Sequence, residues 1–243
     1  MEHLDQTALV VGGGRGIGRA TALALARQGA DVAVTARTLS EIEQVAAEIQ
    51  GLGRQAEAVR CDVSDERSVN AMVRRVLDLY HRIDILVFCA GIIDFGHLSG
   101  VETEMWDRVM GVNLRGAFLT VRAVLPTMRQ QQKGNVVLVS AIGAFGGGGI
   151  APIYRASKAG LNNIAEAFAM ETLGQGIRVN TVCPAETDTE MCRTAYPPDA
   201  DASKWMKPED IADVILFLAS DQSRAMTGAT LIAAGYTKLS RWG

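Results

Sequence analysis

The sequence predicts an α/β fold, a doubly wound sheet of seven parallel strands in a single domain. Short runs rich in Val, Ile and Leu alternate along the chain with longer helical patterns. Near-continuous apolar strands that are each followed by a helix are typical of a parallel sheet covered on both faces. One domain spanning 1–243 is expected, because no repeat or linker divides the chain.

Seven short apolar runs supply the strands, at residues 8–11, 32–35, 56–60, 85–89, 136–140, 179–182 and 230–233. Helical periodicity fills the intervals at residues 17–28, 39–50, 66–80, 112–131, 154–173 and 209–219. Two segments break this alternation, the glycine run 146–149 and the aperiodic stretch 185–207. Both follow predicted strands, and ligands of an open parallel sheet bind beyond the carboxyl ends of its strands. We therefore expect both segments at the binding edge of the sheet.

Composition argues against several classes of protein. A hydrophobic fraction of 48% with 21% charged residues is typical of a soluble globular protein, and a net charge of −3 without a basic block argues against nucleic-acid binding. No apolar run reaches membrane-spanning length, and the first residues lack the basic and apolar regions of a signal peptide, so a cytoplasmic protein is expected. The four cysteines form no Cys-x-x-Cys pair and the three histidines are scattered, so neither disulfides nor a metal site is expected.

A cluster of glycines follows the first predicted strand. Gly12, Gly16 and Gly18 lie in the run Gly-Gly-Gly-Arg-Gly-Ile-Gly, which also holds Arg15 and Ile17. Glycines there permit a tight turn and let the backbone approach a pyrophosphate, which then faces the N-terminus of the next helix. A plain strand-to-helix turn is the alternative, but the position on the first strand favours a dinucleotide-binding loop.

The end of the second strand indicates which dinucleotide is bound. An NAD site usually carries an acid about 20 residues past the glycines, where it holds the ribose hydroxyls. Residues 35–38 read Thr-Ala-Arg-Thr, without an acid. Arg37 and Arg15 are suited to pairing with a 2′-phosphate, although both are also compatible with simple solvation. The sequence therefore favours NADP(H) as the cofactor.

Tyr154 and Lys158 are the main candidates for chemistry. They are four residues apart and share one face of a predicted helix. A neighbouring ammonium favours phenolate over phenol, which would bring the tyrosine pKa from its reference of about 10 nearer to neutrality. Such a phenol can give a proton to a carbonyl oxygen during reduction. The spacing alone is common and is also compatible with an ordinary surface pair.

Taken together, the glycine loop, the Tyr/Lys pair and the strands resemble the short-chain dehydrogenase/reductase family, and most closely its 3-oxoacyl-carrier-protein reductase-like branch. The resemblance implies a Rossmann fold and an NADP-dependent oxidoreductase. Tyr154 would be the catalytic acid, Lys158 its helper and a ribose ligand, and Asn113 the residue that holds a water in a proton relay. With the two arginines, the residues assigned to the cofactor are Gly12, Arg15, Gly16, Ile17, Gly18, Arg37, Asp62, Val63, Ala90, Gly91, Lys158, Pro184, Thr187 and Thr189.

The chain departs from the family pattern at several positions. Val11 stands where the family usually has threonine, Phe88-Cys89 where it has two asparagines, and Ala185 where it has glycine. The active-site serine usually lies thirteen positions before the tyrosine, and here that position is Ala141. Ser140 is adjacent, but successive strand residues point to opposite faces, so the sequence favours a true loss of the serine.

The leading hypothesis is an enzyme that reduces a small-molecule ketone or 3-oxoacyl-type carbonyl with NADPH, with Tyr154 as proton donor. Residues 185–207 would form a lid, with Met191, Tyr196, Trp205 and Met206 lining an apolar pocket; ordinary loop packing is the alternative. Loss of the serine also allows a dehydration, a cyclisation or a C=C reduction on the same fold. The cluster of departures further allows an NADP-binding sensor or scaffold that is not an enzyme.

Arg115, Arg122 and Arg129 recur every seven residues and form one stripe on the helix predicted over 112–131. A solvated face is the simplest interpretation, and docking of an acidic carrier protein is another. The family resemblance implies a homo-oligomer, a dimer or tetramer, with this helix at a dimer face and residues 235–243 at an interface.

Overall fold

All seven predicted strands are present in the computed structural model, which describes residues 5–146 and 151–235. They are β1 (Thr7–Val11), β2 (Asp31–Ala36), β3 (Ala56–Arg60), β4 (Ile85–Phe88), β5 (Gly134–Val139), β6 (Ile177–Pro184) and β7 (Thr230–Ala233). Neighbouring strands all run parallel, in the order β3-β2-β1-β4-β5-β6-β7. The predicted doubly wound sheet in one domain is therefore confirmed.

Helices cover both faces of this sheet. They are α1 (Gly16–Arg27), α2 (Leu39–Gly51), α3 (Glu66–Tyr80), α4 (Thr103–Met110), α5 (Gly116–Gln131), α6 (Pro152–Glu171), α7 (Glu190–Arg193) and α8 (Pro208–Ala219). One core cluster packs α3, α5 and α6 against the sheet, and the other packs α1, α2 and α8 against the opposite face.

Strand β1 shows why the strands are apolar on both sides. Leu9 and Val11 belong to the cluster under α3, α5 and α6, whereas Ala8 and Val10 belong to the cluster under α1, α2 and α8. Successive strand residues point to opposite faces, and both faces are covered, so the strand has no polar side.

The strand order reverses at β1, which pairs with β2 on one side and with β4 on the other. Val11 and Phe88 are register partners at the carboxyl ends of β1 and β4. In doubly wound sheets a ligand crevice opens beyond such a reversal. The fold therefore places the glycine loop and the segment after β4 at the same crevice, which they border from opposite faces of the sheet.

The helix predicted over residues 112–131 differs most from expectation. The chain forms α4, then a π-helical turn at Gly111–Arg115, and then α5. Asn113 lies in the middle of that turn. Isolated π turns are rare and occur frequently at functional sites, and hydrophobic periodicity does not reveal the one extra residue that they contain.

The predicted arginine stripe is partly paired with neighbouring elements. Arg115 donates to the carbonyl oxygen of Ser64 at 2.8 Å, Arg122 forms an ion pair with Glu66 of α3, and Arg129 forms one with Glu171 of α6 at 2.6 Å. The arginines therefore link α5 to both of the helices that flank it.

The described residues include no helix that is long and apolar enough to cross a membrane. Within 5–146 and 151–235 there is also no group of three potential ligands that could hold a metal ion. The four cysteines, Cys61, Cys89, Cys183 and Cys192, are all free. Residues 236–243 of the predicted interface and residues 147–149 of the glycine run lie outside the described residues.

Candidate active site

A cleft of about 390 Å³ opens at the carboxyl edge of the sheet. It is lined by the glycine loop, by the ends of β2, β4, β5 and β6, and by parts of α6 and α7. Every residue that the sequence assigned to the cofactor lines this cleft, and so do both Tyr154 and Lys158. Asn113 is absent from the lining and lies one layer behind it.

The glycine loop contains positions that only glycine can occupy. Gly12 has a φ of +81°, and a Cβ atom there would lie 2.6 Å from the amide nitrogen of Ala90. A Cβ atom on Gly18 would lie 2.1 Å from the carbonyl oxygen of Gly12. The missing side chains therefore allow a left-handed turn and close packing of α1 against the loop.

These residues fit a nicotinamide dinucleotide. Helix α1 begins at the cleft, its N-cap residue Arg15 makes no side-chain cap bond, and its first turn carries no acid. The positive end of the helix is therefore suited to a pyrophosphate. At the other end of the groove, a Cβ atom on Gly91 would lie 3.5 Å from Asn113 Oδ1 and 3.6 Å from Lys158 Nζ. The bare backbone of Gly91 thus leaves room beside Lys158.

The end of the groove beside the carboxyl ends of β2 and β3 is polar. Asp62 Oδ1 accepts hydrogen bonds from the amide and the hydroxyl of Ser64, at 3.0 and 2.7 Å. The hydroxyl bond is the main reason that the pKa of Asp62 lies below its usual range, and the nearby Arg37 lowers it further. Val63 packs on the first residue of α5, since a Cβ atom on Gly116 would lie 2.9 Å from it.

Helix α6 carries the candidate catalytic pair. Lys158 is 3% exposed, its Nζ donates to the carbonyl oxygen of Val139 at 2.7 Å, and it lies 5.6 Å from the centroid of the Tyr154 ring. Burial lowers the pKa of Lys158 to about 8. The pair therefore shares one face of α6, as its spacing predicts.

The expected acidification of Tyr154 is not what this geometry produces. Burial raises the pKa of the Tyr154 phenol above its ordinary value, and the thiols of Cys192 and Cys183 add to that effect. The Lys158 ammonium lies near the ring and is bonded to Val139, so it does not offset the loss of hydration. Tyr154 is accordingly held as a neutral phenol, the form that can donate a proton.

The sequence matches a known family model, that of the short chain dehydrogenases, over residues 6–199. The protein belongs to the short-chain dehydrogenase family. It is 36% identical over 231 residues to a 3-oxoacyl-[acyl-carrier-protein] reductase of Thermotoga maritima, covering 92% of this chain and 94% of that one. It is 35% identical over 242 residues to an L-rhamnose 1-dehydrogenase (NAD(P)(+)) of a Sphingomonas species, covering 95% of each. The crystal structure of levodione reductase matches with a TM-score of 0.91 at 29% identity, over 96% of this chain and 97% of that one.

Ala141, the position at which the family resemblance predicts the loss of a serine, lines the cleft. Ser140 also borders the cleft, but it is 3% exposed and its hydroxyl donates to the carbonyl oxygen of Lys158 at 3.1 Å. Its hydrogen is therefore engaged by the backbone of α6. The loss of the serine stays a prediction.

Asn113 is held tightly behind the cleft. Its Oδ1 accepts from the amide of Ile92 at 2.8 Å, and its Nδ2 donates to the carbonyl oxygen of Ile92 and to Ser157 Oγ, both at 2.9 Å. The side chain of Asn113 therefore joins the loop after β4 to helix α6. Its role in a water-mediated relay stays a prediction.

Two of the four residues predicted to line the pocket from the lid do so, and two do not. Met191 and Tyr196 line the cleft as expected. Trp205 instead packs on Tyr196, with ring centroids 4.9 Å apart. Met206 is 8% exposed and belongs to the core cluster beside α8, so its expected place in the pocket lining is wrong. Its backbone bridges to Thr187, which draws the methionine inward.

Sequence reasoning missed one residue at this site, Asp94. It is 2% exposed, and its carboxylate accepts from the amides of Ile153 and Tyr154 at 3.3 and 2.8 Å. The contact joins residues about sixty positions apart, so no local pattern could have revealed it.

Proposed function

We propose that this short-chain dehydrogenase reduces a small-molecule carbonyl with NADPH. The observation that carries the proposal is the placement of Tyr154 and Lys158 on the wall of the cleft that the glycine loop also lines, with Lys158 beside Gly91. A donor of protons and a groove for a dinucleotide thus meet in one cleft.

Bound NADPH would supply the hydride, and the protein supplies the proton. Tyr154 is the donor to the substrate oxygen, since its raised pKa keeps the phenol protonated until an alkoxide develops. Lys158 contributes positive charge beside the ring, and its lowered pKa of about 8 means that this charge weakens in mildly alkaline solution. Asn113 and a water resupply the proton.

We propose NADP(H) rather than NAD(H) because of the residues at the end of β2, where the adenosine of the cofactor would lie. Arg15 and Arg37 both line the cleft, and residues 35–38, at and just beyond the end of β2, lack the carboxylate that would hold the ribose hydroxyls. Two guanidinium groups are suited to a 2′-phosphate.

The alanine at position 141 shapes the choice of substrate. Removing one hydrogen-bond donor to a reacting oxygen typically costs about 10²–10³ in rate. Orientation of the reactants alone supplies about 7–11 kcal/mol, so reduction survives without the donor. We therefore propose an activated carbonyl, such as a 3-oxoacyl group, a quinone or a 1,3-dicarbonyl. A dehydration or a C=C reduction is the second candidate, and it is favoured by the same alanine.

We further propose a cytoplasmic homo-oligomer in which residues 185–207 act as the lid. Four free cysteines suit a reducing compartment. Phe118 of α5 is 38% exposed and stacks on Phe168 of α6, which gives that face an apolar centre for self-association.

The decisive test replaces Tyr154 by Phe. NADPH consumption is followed with a panel of ketones, 3-oxoacyl thioesters and quinones, and the product mass distinguishes a gain of two hydrogens from a loss of water. We expect Tyr154→Phe to lower kcat by about 10²–10⁴, the range for general acid catalysis. Tyr80→Phe is the matched control, since this half-buried tyrosine packs against the core away from the cleft. Undiminished turnover by Tyr154→Phe would remove the phenol from the mechanism.

A further inference from the structure

Helix α6 begins without a cap of its own. Its N-cap residue is Ala151 and its first residue is Pro152, and neither can accept a hydrogen bond from the first amides of the helix through a side chain. The amides of Ile153 and Tyr154 instead donate to Asp94, which lies in the loop after β4. A carboxylate bonds such amides more strongly than a neutral cap and also favours the positive end of the helix.

The other backbone polar group of Tyr154 is held as well. Its carbonyl oxygen accepts from Ser157 Oγ at 2.7 Å, and Ser157 Oγ accepts in turn from Asn113 Nδ2 at 2.9 Å. Asn113 is itself bonded to both polar groups of Ile92, two residues before Asp94. The loop after β4 therefore binds the amide of Tyr154 directly through Asp94, and it is linked to the carbonyl of Tyr154 through the side chains of Asn113 and Ser157.

We propose that Asp94 is a positioning residue that fixes the first turn of α6 and thereby aims the phenol of Tyr154 at the reacting oxygen. This inference rests on the function proposed above. It follows from the missing hydroxyl at Ala141, because no side chain at that position shares the work of orienting phenol and substrate. A displacement of about 1 Å at a reacting group lowers the rate by up to about 10²-fold.

A buried carboxylate also stabilises a fold, so the test needs a matched control. Asp84 is 2% exposed, like Asp94. Its Oδ2 accepts from the amide of Thr7 at 2.9 Å, and its two oxygens also accept from Arg82, both at 2.7 Å, so it has at least as many partners to lose. It lies just before β4, at the edge of the sheet opposite the cleft. Asp84→Asn therefore reports the effect of neutralising a buried, amide-bonded carboxylate that is remote from Tyr154.

The experiment compares Asp94→Ala, Asp94→Asn and Asp84→Asn with the full-length parent. It measures kcat and KM for the best carbonyl, the Kd of NADPH by fluorescence, thermal stability, and hydrogen–deuterium exchange of the peptide that spans 151–158. We expect Asp94→Ala to lower kcat by about 10- to 100-fold with an unchanged NADPH Kd. Exchange at the first amides of α6 should be about tenfold faster, as expected for loss of a charge-assisted hydrogen bond.

The remaining variants separate positioning from stability. Asp94→Asn keeps one acceptor oxygen, so its kcat should lie between those of the parent and Asp94→Ala. If Asp94→Ala does not fold, the kcat of Asp94→Asn relative to the parent tests the proposal. Asp84→Asn should lose thermal stability and keep its kcat. An unchanged kcat in the Asp94 variants, or an equal loss in Asp84→Asn, would overturn the proposal. Tyr154→Phe keeps the backbone bonds, so full turnover in that variant would refute the proposed function while the exchange result still tests the grip of Asp94.

Discussion

Arg15 of the glycine loop and Glu190 of α7 form an ion pair with 2.5 Å between Nη1 and Oε2. The neighbouring Thr189 approaches the same loop, since a Cβ atom on Gly16 would lie 3.2 Å from its methyl carbon. The segment after β6 therefore lies against the loop that begins α1. The arginine proposed to bind the 2′-phosphate is thus paired with a carboxylate of the proposed lid.

Glu190→Gln should strengthen the binding of NADPH. The 2′-phosphate would no longer compete with a carboxylate for Arg15, and an exposed pair of this kind is worth about two- to fivefold in affinity. Fluorescence titration should show a lower Kd for NADPH and an unchanged Kd for NADH. Glu48→Gln is the control, because Glu48 forms a similar pair with Arg19 at 2.6 Å outside the cleft lining. Equal Kd values in Glu190→Gln and the parent would show that Arg15 does not reach the phosphate.

Arg37→Ala should weaken NADPH binding by about 10- to 100-fold, the value of charge-assisted hydrogen bonds to a phosphate. NADH binding should change little, because NADH lacks that phosphate. Both Kd values can be measured by calorimetry. Arg60→Ala is the control, since Arg60 is exposed at the end of the neighbouring strand β3 and does not line the cleft. A parallel loss of both cofactors would assign Arg37 to the general shape of the groove.

Ala141→Ser should raise kcat for unactivated ketones by up to about 10²-fold, the lower value for one hydrogen-bond donor to a developing oxyanion. Activated carbonyls should gain less, because their oxygens need the donor less. Steady-state rates with one substrate of each kind test this expectation. Ala144→Ser adds a hydroxyl three residues further on, outside the cleft lining, and should have no effect. A lower kcat in Ala141→Ser would indicate that the substrate itself fills the space beside Ala141.

The lowered pKa of Lys158 predicts a pH dependence of stability. Its folded-state pKa is about 8 against an ordinary 10.5, so between these values the unfolded chain binds a proton that the folded protein does not. The free energy of unfolding attributable to Lys158 should therefore rise with pH across that interval, by an amount on the order of 3 kcal/mol. The free energy of unfolding of Lys158→Met, measured with denaturant at each pH, should lack this rise. The difference between the parent and Lys158→Met should therefore grow across the interval. Lys133→Met, an exposed lysine, is the control and should keep the rise.

The sheet was predictable because its strands are buried on both faces and so form unbroken apolar runs. Val10 and Leu9 enter different cores, yet both must be apolar. The glycine loop and the Tyr154–Lys158 face were equally visible, since each depends on neighbours within a few residues.

The remaining features depend on contacts between distant residues. The bond from the Tyr154 amide to Asp94 crosses sixty positions, and the burial of Met206 depends on the bridge from its backbone to Thr187. The direction of the Tyr154 pKa was mistaken for the same reason. Spacing shows that Lys158 is near the ring, whereas only the packed structure shows that burial outweighs it.

The π turn at Gly111–Arg115 makes the number of residues in this stretch as important as their identity. Deleting one residue there would restore regular α-helical winding and rotate all that precedes it by about 100°. Asn113 would swing away from Ile92 and Ser157, and the hold on Tyr154 would loosen although every side chain of the site remained. Insertions and deletions within 103–131 should therefore inactivate the protein where many point substitutions do not.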